Sequence, residues 1–338
     1  MQLIRHRTYA RAGLMGNPSD GYNGKTISLV VRNFFAEAVL YEWPTAEIVS
    51  SQQDQSCFQS VRELVHDVQL HGYYGGVRLV KATIKRFVDY CDSQNIRLHD
   101  RNFAIRYQTN IPRQVGLAGS SAIIVATLRA LIDFYDVGIP QEVLPSLAMS
   151  VEVAELGITA GLQDRVIQVY EGLVYMDFSQ NRESEQHGMK CGVYEPLDPA
   201  ILPPLYLAYS SEVGEPTEVT HAPLRARFQR GDQVVVAAME SFAEFTEAAR
   251  AALASGDVPR LSLLMDQNFD KRQSICDISA NHLRMVDTAR QTGVSAKFAG
   301  SGGAIIGTCP DEDSFQLLKS TLAAIKCNVI RPVVVAQN

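Results

Sequence analysis

The sequence predicts an α+β protein built from two domains. Its 338 residues amount to about two domains of ordinary size. Segments with the periodicity of strands alternate with segments that have the periodicity of helices. A polar stretch at 179–204, which contains Gly188, Gly192 and several prolines, interrupts that alternation. We therefore expect a first domain over residues 1–190 and a second domain over residues 191–338.

The first half is predicted to hold four strands and four helices. Its segments with strand periodicity are Thr26–Val31, Phe35–Tyr41, Phe103–Thr109 and Gly172–Phe178. Its segments with helical periodicity are Val77–Cys91, Ser120–Tyr135, a stretch from Gln141 to Leu156, and one from Asp164 to just before Gly172. The helix at Ser120–Tyr135 is apolar almost all round, which predicts that it is buried. The polar residues 42–60 are expected to form a loop.

The second half is predicted to begin and end with strands that flank several helices. The expected strands are Leu205–Ser210, Gly302–Cys309 and Asn328–Val335. The expected helices lie near 232–254, 257–274, 279–292 and 312–326. We find no internal repeat and no low-complexity tract in the chain.

Charge and composition exclude several classes of function. Lys and Arg number 31 against 37 Asp and Glu, so the formal charge is −6, which argues against a nucleic-acid partner. A small anion responds to local charge, so anionic ligands remain possible. The six cysteines are scattered without metal-ligand spacing, which favours reduced thiols in a cytoplasmic protein. No signal peptide and no apolar run of membrane length is found, so no membrane partner is expected.

A glycine-rich stretch before the buried helix has the composition of a phosphate cradle. Glycines allow backbone N–H groups to turn toward an anion, and the N-terminus of a helix adds free donors and positive potential. The residues of this stretch are Pro112, Gly116, Leu117, Ala118, Gly119, Ser120, Ser121 and Ala122. It is not a Walker A loop, because the lysine of that motif is absent. The alternative is a simple serine N-cap after a turn.

Two further glycine-rich stretches are weak signals when each is taken alone. Gly300, Ser301, Gly302 and Gly303 lead into an apolar strand, and the alternative reading is a tight turn. Residues 11–24 form a polar, turn-rich loop at the end of a strand, in which an Arg and an Asp can hold a polyhydroxylated ligand. The alternative for that loop is a surface turn.

Candidate acid–base groups lie where the third predicted helix ends and the fourth begins. Glu152 and Glu155 stand near the end of one helix, and Asp164 stands where the next begins. A carboxylate near a phosphate site can act as a base or as a metal ligand. The alternative is that Asp164 is an N-cap and that both glutamates are solvated.

Taken in their order along the chain, the stretches 11–24, 112–122 and 300–303 resemble the motifs of a kinase superfamily. This is the galactokinase, homoserine kinase, mevalonate kinase and phosphomevalonate kinase superfamily, the GHMP kinases. The three stretches span residues 11–304, which is nearly the whole chain. A closer resemblance is to the glucuronokinases of plants. The stretches that carry this closer resemblance are 16–20, 71–79, 110–114, 160–166, 174–179 and 297–303.

The resemblance implies a fold, two ligands and a role for each motif. It implies a GHMP kinase fold, whose N-terminal domain is similar to ribosomal protein S5 domain 2 and whose C-terminal domain is ferredoxin-like. It implies that ATP phosphates bind at 116–122 with support from 300–303, and that Ser121 and Glu152 bind Mg²⁺, with Glu155 as second choice. It implies Asp164 and Arg11 as catalytic residues. The implied substrate contacts are Arg11, Asn17, Asp20, Tyr22, Asp164 and Gly302.

The expected reaction is transfer of a phosphoryl group from ATP to the anomeric hydroxyl of a sugar acid, D-glucuronate. The candidate cations for the sugar carboxylate are Arg11, Lys25, Arg113 and Arg165. The alternatives are another sugar-1-kinase, for galacturonate, a heptose phosphate or fucose, and a catalytically silent sensor of ATP and sugar. Two departures from the family pattern stand out: the phosphate loop has one extra residue before its serines, and residues 16–18 lack the G-E-H of many sugar kinases.

Overall fold

The structure is a computed structural model that describes residues 3–49, 75–211 and 218–336, with the side chains of 218–223 left aside. Cys57, most of the loop predicted at 42–60 and the beginning of the stretch 71–79 lie outside the described residues. The part of that loop which is described contains a short strand at 47–49, where only loop was expected.

A mixed sheet forms the centre of the first half. Its strands are β1 (Leu3–Met15), β2 (Lys25–Glu42), β3 (Glu47–Val49), β4 (Phe103–Thr109), β5 (Leu173–Asp177) and, after a small hairpin of β6 (Ser184–Gln186) with β7 (Met189–Cys191), β8 (Val193–Leu197). Strand β2 pairs with β1 along most of its length, with β4 through residues 36–42 and with β5 through residues 25–29. The sheet therefore depends on this one long strand.

The two strands predicted at Thr26–Val31 and Phe35–Tyr41 are the single strand β2. The pairing with β1 passes from Tyr9 opposite Phe35 to Ala10 opposite Val31, so the residues between Val31 and Phe35 form a bulge. A bulge bends a strand without ending it. Residues 32–34 of the bulge interrupt the strand periodicity, and the sequence therefore predicts two strands in place of one.

Helices cover one face of this sheet. They are α1 (Gly76–Ser93), α2 (Gly119–Tyr135), α3 (Leu144–Ser150) and α4 (Gln163–Tyr170). The expected burial of α2 is confirmed, since it packs on β1 and β2 and most of its side chains lie in the core. The helix predicted from Gln141 to Leu156 is shorter than expected. It begins at Leu144 and passes into a π-helical turn over Val151–Glu155.

The second half has the order of elements that the ferredoxin-like expectation requires. Strand β9 (Leu205–Ser210) is followed by helices, by the strands β10 (Lys297–Phe298) and β11 (Ala304–Thr308), by a helix and by β12 (Cys327–Ile330). The sheet order is β10-β11-β9-β12 and every pairing is antiparallel. This is the β-α-β-β-α-β topology with helices inserted after its first strand. The helices are α5 (Glu218–Gln229), α6 (Gln233–Ser255), α7 (Val258–Gln273), α8 (Ala280–Arg290) and α9 (Glu312–Ala323).

The last strand ends earlier than the predicted Asn328–Val335, because Pro332 has no N–H to donate to a ladder. Residues beyond it return to the first sheet, where the Arg32 N–H donates to the Val333 carbonyl at 2.9 Å. In the described residues, no helix is long and apolar enough to cross a membrane.

The polar stretch 179–204 contains β6, β7 and β8, and β8 pairs with β5 of the first sheet. The predicted division at residue 190 would separate these two strands. We propose that the division falls at 198–204, between β8 and β9.

Candidate active site

The second and third glycine-rich stretches, at 112–122 and 300–303, touch, although about 185 residues separate Gly116 from Gly302. Gly116 has φ +72°, and a Cβ on it would lie 2.8 Å from the carbonyl oxygen of Gly302. A Cβ on Gly300 would overlap the Gly116 carbonyl oxygen. Both positions need glycine because the two backbones approach more closely than a side chain allows. The turn after β10 therefore lies directly against the loop that leads into α2.

Helix α2 begins without a serine cap. Its N-cap is Ala118, which has a left-handed backbone with φ 62°, and no side chain caps the first turn. The Ser121 hydroxyl donates to the Ala118 carbonyl at 3.2 Å, and Gln168 Nε2 donates to the same oxygen at 2.9 Å. The reading of this stretch as a simple serine N-cap is wrong. The first-turn amides keep the positive potential that favours an anion.

The other predicted residues of this loop lie around that helix start. Leu117 and Ala122 are buried in the core, so only their backbone is available to a ligand. Pro112, Gly119 and Ser120 are partly exposed. Ser121 is 1% exposed, and its hydroxyl points back into the turn.

Arg11 joins the three motifs. From β1, its Nε donates to Asp164 Oδ1 at 2.7 Å. Its Nη1 donates to the Gly116 carbonyl at 2.5 Å and to the Ala299 carbonyl at 3.2 Å. The residue is 5% exposed. Its guanidinium therefore holds the predicted base and both glycine turns together from the inside of the protein.

Asp164 lies in the first turn of α4, but it does not cap that helix. The N-cap residue is Leu162, without a side-chain cap. Besides Arg11, Arg165 Nη1 lies 3.6 Å from Asp164 Oδ2. The carboxylate keeps 22% of its side-chain surface exposed, so one face of it is open to a ligand while the other is fixed by arginines. The N-cap alternative for Asp164 is wrong.

Asp20 stands beside this pair. It follows the end of β1, in a short 3₁₀ helix over Ser19–Tyr22, and it packs against Gly161, where a Cβ would overlap its carboxylate. The Gln163 N–H donates to Asp20 Oδ2 at 3.3 Å. Burial, and then the charge of Asp164, raise the pKa of Asp20 to about 6. Two carboxylates from distant parts of the chain thus share one site.

The two glutamates of the π-helical turn differ. Glu152 is 4% exposed, and Oε2 accepts a hydrogen bond from Arg165 Nη2. Glu155 is bound by Lys85 Nζ at 2.8 Å at the surface. Burial, and then the charge of Arg11, lower the pKa of Arg165 to about 9. The alternative that both glutamates are solvated is wrong for Glu152. The choice of Glu152 over Glu155 as the carboxylate that binds Mg²⁺ stays a prediction.

The predicted sugar contacts Asn17 and Tyr22 are buried. Asn17 Nδ2 donates to the Phe298 carbonyl at 3.2 Å, and its Oδ1 accepts from Lys297 Nζ at 2.6 Å. Tyr22 packs edge-on against Phe228 at 5.0 Å between ring centroids. These contacts hold both side chains in place within the protein. A direct contact of Asn17 or Tyr22 with a sugar stays a prediction.

Two buried cations that the sequence analysis missed bind carbonyls in and around the Gly300–Gly303 turn. Arg272 of α7 donates from Nη1 to the Gly300 carbonyl at 2.7 Å and from Nη2 to the Ser301 carbonyl at 3.0 Å. Lys297 Nζ donates to the carbonyls of Gly13 at 2.7 Å and Phe298 at 2.8 Å. Both residues are at most 2% exposed. Burial, and then the charges of Arg272 and Arg11, lower the pKa of Lys297 well below its ordinary value.

No sequence signal marks Arg272 as a residue of the site, because a single arginine on a helix forms no motif with its neighbours. Lys297 adjoins the third glycine turn, and its position directly before that turn was the available clue. In the part of the chain that the structure describes, neither cation has a carboxylate within 4 Å. The Arg272 guanidinium therefore lies against the carbonyl side of this turn without a neutralising carboxylate.

The four candidate cations for a sugar carboxylate occupy different places. Arg11 and Arg165 are bound to Asp164 and Glu152. Lys25 pairs with Glu247 at 2.5 Å and with Asp177 at 3.6 Å, on the face where α6 meets the first sheet. Arg113 is exposed beside the phosphate loop.

The donors predicted for a magnesium ion are hard oxygens, which suit that metal. In the described residues, no three His, Cys, Asp or Glu side chains form a metal cage. Mg²⁺ in phosphoryl-transfer sites is held by one or two carboxylates together with substrate phosphates. Glu152 Oε1 accepts no hydrogen bond from the described residues, so a site completed by ATP fits this donor set.

The chain is similar to known proteins over most of its length. Residues 78–172 match the family model described as the GHMP kinases N terminal domain. The chain is 43% identical to Glucuronokinase 1 of Arabidopsis thaliana over 92% of this chain and 86% of that one. It is 44% identical to Probable glucuronokinase 2 of the same plant, with the same coverage. The structure of Lactococcus lactis galactokinase, complexed with galactose, superimposes with a TM-score of 0.78 at 13% identity, over 99% of this chain and 94% of that one.

These matches confirm the resemblance and the GHMP kinase fold that the motifs predicted. A relative more than 40% identical over most of both chains, together with the motif order and the full-length fold, decides the family. The chain belongs to the GHMP kinase family, as a glucuronokinase-like, ATP-dependent sugar kinase.

Proposed function

We propose that the chain transfers the γ-phosphoryl group of ATP to the anomeric hydroxyl of D-glucuronate, which gives glucuronate 1-phosphate and ADP. The observation that carries the proposal is the contact of the two glycine turns beside the Arg11–Asp164 pair. It brings a phosphate-binding helix start and a partly exposed carboxylate together. The likeness to two plant proteins named as glucuronokinases supports this choice of sugar.

In this proposal the loop over 116–122 receives the ATP phosphates. Backbone amides at the start of α2 and in the turn at 300–303 supply hydrogen bonds to phosphate oxygens. Phosphoryl transfer depends mainly on positioning and charge neutralisation. Arg272 binds the carbonyls of Gly300 and Ser301 and so holds the carbonyl side of the turn in place.

Asp164 is proposed as the group that accepts the proton of the anomeric hydroxyl. As the bond from that oxygen to the γ-phosphorus forms, the bond from the γ-phosphorus to the bridging oxygen breaks and ADP leaves. Arg11 orients Asp164 through the hydrogen bond from its Nε. Asp20, which lies next to Asp164, is proposed to hold a sugar hydroxyl, with Gly302 at the other side of the sugar.

We propose that Ser121 and Glu152 hold a magnesium ion together with the ATP phosphates. The ion would neutralise charge on the phosphate oxygens.

The five cysteines for which the structure describes the side chain are free thiols, which supports a reducing compartment such as the cytoplasm.

One cation is proposed to pair with the carboxylate of the uronate. Arg113 is the exposed candidate, and a guanidinium can bind a carboxylate through two hydrogen bonds. Loss of such a contact is worth about 1.5–3 kcal/mol, which is about a 10- to 150-fold change in kcat/KM.

The test measures ATP consumption with glucuronate, galacturonate, glucose, galactose and fucose, and assigns the phosphorylated position by NMR. We expect glucuronate to be preferred and the product to be a 1-phosphate. Equal kcat/KM for glucuronate and glucose would reject the sugar-acid proposal. Hydrolysis of ATP without a phosphorylated sugar in the whole panel would reject the reaction. Arg113→Gln should lower kcat/KM for glucuronate and leave the value for glucose unchanged.

A further inference from the structure

A basic cavity lies on the sheet face of β1 and β2, apart from the proposed site. Its volume is about 470 Å³, and it is lined by Arg5, Arg7, Tyr9, Arg32 and Glu171. Residues 5, 7 and 9 share one side of β1 because side chains alternate along a strand. Arg7 and Arg5 precede Arg11 by four and six residues, which is about 13 and 20 Å along the strand. None of the lining residues belongs to the proposed ATP or sugar site.

One buried carboxylate lies beside two arginines of this cavity. Arg7 Nε donates to Glu37 Oε2 at 2.7 Å, and Arg5 Nε lies 3.8 Å from the same oxygen. Gln108 Nε2 donates to the other oxygen of Glu37 at 2.9 Å, and the Glu37 side chain is 2% exposed. The Arg7 guanidinium also lies over the Phe35 ring, 4.3 Å from its centroid. The orientation of Arg7 is therefore set by the protein, and Glu37 attracts Arg5 to the same place.

The third arginine is held in the same manner. Arg32 Nη2 donates to Glu171 Oε2 at 2.8 Å, and its guanidinium lies 4.9 Å from the centroid of the Tyr9 ring. Glu171 also binds Arg129 Nη1, at 3.3 Å. The Glu171 side chain is only 11% exposed. Each of the two carboxylates is thus shared by two arginines and shielded from water.

The charge of this face is positive although the chain is acidic. Four arginines against two glutamates leave a local charge of +2, in a protein whose formal charge is −6. The side chains of Arg5 and Arg7 remain 50% and 46% exposed. In the part of the chain that the structure describes, Glu37 is the one carboxylate within 4 Å of them. Both use Nε toward Glu37, so their Nη groups are available at the cavity.

We propose that this cavity is a second anion site, which binds a phosphate-bearing ligand with more than one negative charge. Guanidinium groups whose orientation is fixed bind phosphate oxygens through two parallel hydrogen bonds, which a flexible surface arginine does less well. The volume lies within the range of small-molecule sites. The pair Arg5 and Arg7 would bind one phosphate, and Arg32 would bind a second one.

The probe for this site is inorganic pyrophosphate, titrated into the full chain by isothermal calorimetry at low salt. Wild-type protein should show a saturable binding event that Arg5→Gln/Arg7→Gln loses, with a Kd at least tenfold higher. Arg5→Lys/Arg7→Lys keeps the charges without the planar fork and should show an intermediate loss. Binding of pyrophosphate at the ATP phosphate loop should be the same in all variants. The kinase activity of Arg5→Gln/Arg7→Gln should equal that of wild type.

The matched control is Lys81→Gln/Lys85→Gln, which removes the same charge at another cavity, between α1 and the π-helical turn. It should leave pyrophosphate binding unchanged. Thermal unfolding checks that each variant is folded, and Arg5→Gln alone serves if the double variant is not. An unchanged Kd in Arg5→Gln/Arg7→Gln, no saturable event in wild type, or an equal loss in the lysine control would each overturn the proposal.

Discussion

Arg11 Nε donates to Asp164 Oδ1 at 2.7 Å and joins the middle of the first strand to the first turn of α4. The same guanidinium reaches carbonyls of both glycine turns, at Gly116 and Ala299. One buried side chain thus sets the position of the proposed base relative to the proposed phosphate site.

Asp164→Asn removes the proposed proton acceptor while it keeps the size of the side chain. We expect kcat to fall by about 10²–10⁴-fold, with the KM for ATP nearly unchanged. Steady-state kinetics with glucuronate measure this. Asp133→Asn, at an exposed carboxylate that pairs with His6, is the control and should keep full activity. Wild-type turnover in Asp164→Asn would exclude Asp164 as the base.

Arg11→Met leaves two backbone carbonyls and one carboxylate without their donor. We expect a loss of roughly 2–4 kcal/mol in the free energy of unfolding, together with a large fall in kcat. Arg11→Lys keeps the charge but cannot reach three acceptors with a planar fork, so it should lie between Met and wild type. Urea unfolding and kinetics on the same preparations test both. Equal stability of all three proteins would contradict the linking role of Arg11.

Asp20 should make both sugar binding and stability depend on pH near 6. Its pKa is about 6 in the folded protein against 3.8 for an ordinary aspartate. The folded state therefore binds more protons than the unfolded state between these values, and this group destabilises the fold as pH rises through 6. Asp20→Asn should raise the free energy of unfolding at pH 8 by up to about 3 kcal/mol, with little effect at pH 4.

The same substitution should weaken sugar binding. In wild type the KM for the sugar is expected to rise as pH falls below 6, because protonated Asp20 no longer accepts two hydrogen bonds from hydroxyls. In Asp20→Asn this dependence should disappear. A KM for the sugar that is flat between pH 5 and 8 in wild type would argue against Asp20 as a sugar contact.

Gly300→Ala should separate the two glycine turns. Its Cβ would overlap the Gly116 carbonyl oxygen and lie 2.7 Å from Arg11 Nη1, so one backbone must move. Misplacement by about 1 Å can lower the rate about 10²-fold. We expect a loss of that order in kcat/KM for ATP. The control is Gly138→Ala, since nothing lies within 4 Å of a Cβ there. Full activity of Gly300→Ala would show that the contact between the turns is not needed.

Most of the helices and strands follow from local periodicity, and the failures have local reasons. The sequence predicts two strands where β2 is continuous, because the bulge between Val31 and Phe35 interrupts the strand periodicity. It predicts a domain boundary over 179–204 and no strands there, because the short strands at 184–197, among glycines and prolines, have no clear period. The end of β12 at Ile330 follows from Pro332, a signal that the sequence did contain.

The sequence by itself determined the family. Its three glycine-rich motifs present backbone groups to ligands, and both their glycines and their order along the chain can be recognised in the sequence. It also placed Asp164 and Glu152 in the candidate site. Only the tertiary structure decided what each charge contacts. Arg11 proved to be a buried link, Arg272 proved to hold the third turn through its carbonyls, and Lys297 proved to join β10 to the Gly13 carbonyl of β1. A lone buried cation has no sequence pattern, since its role depends on which distant carbonyls the fold brings within 3 Å of it.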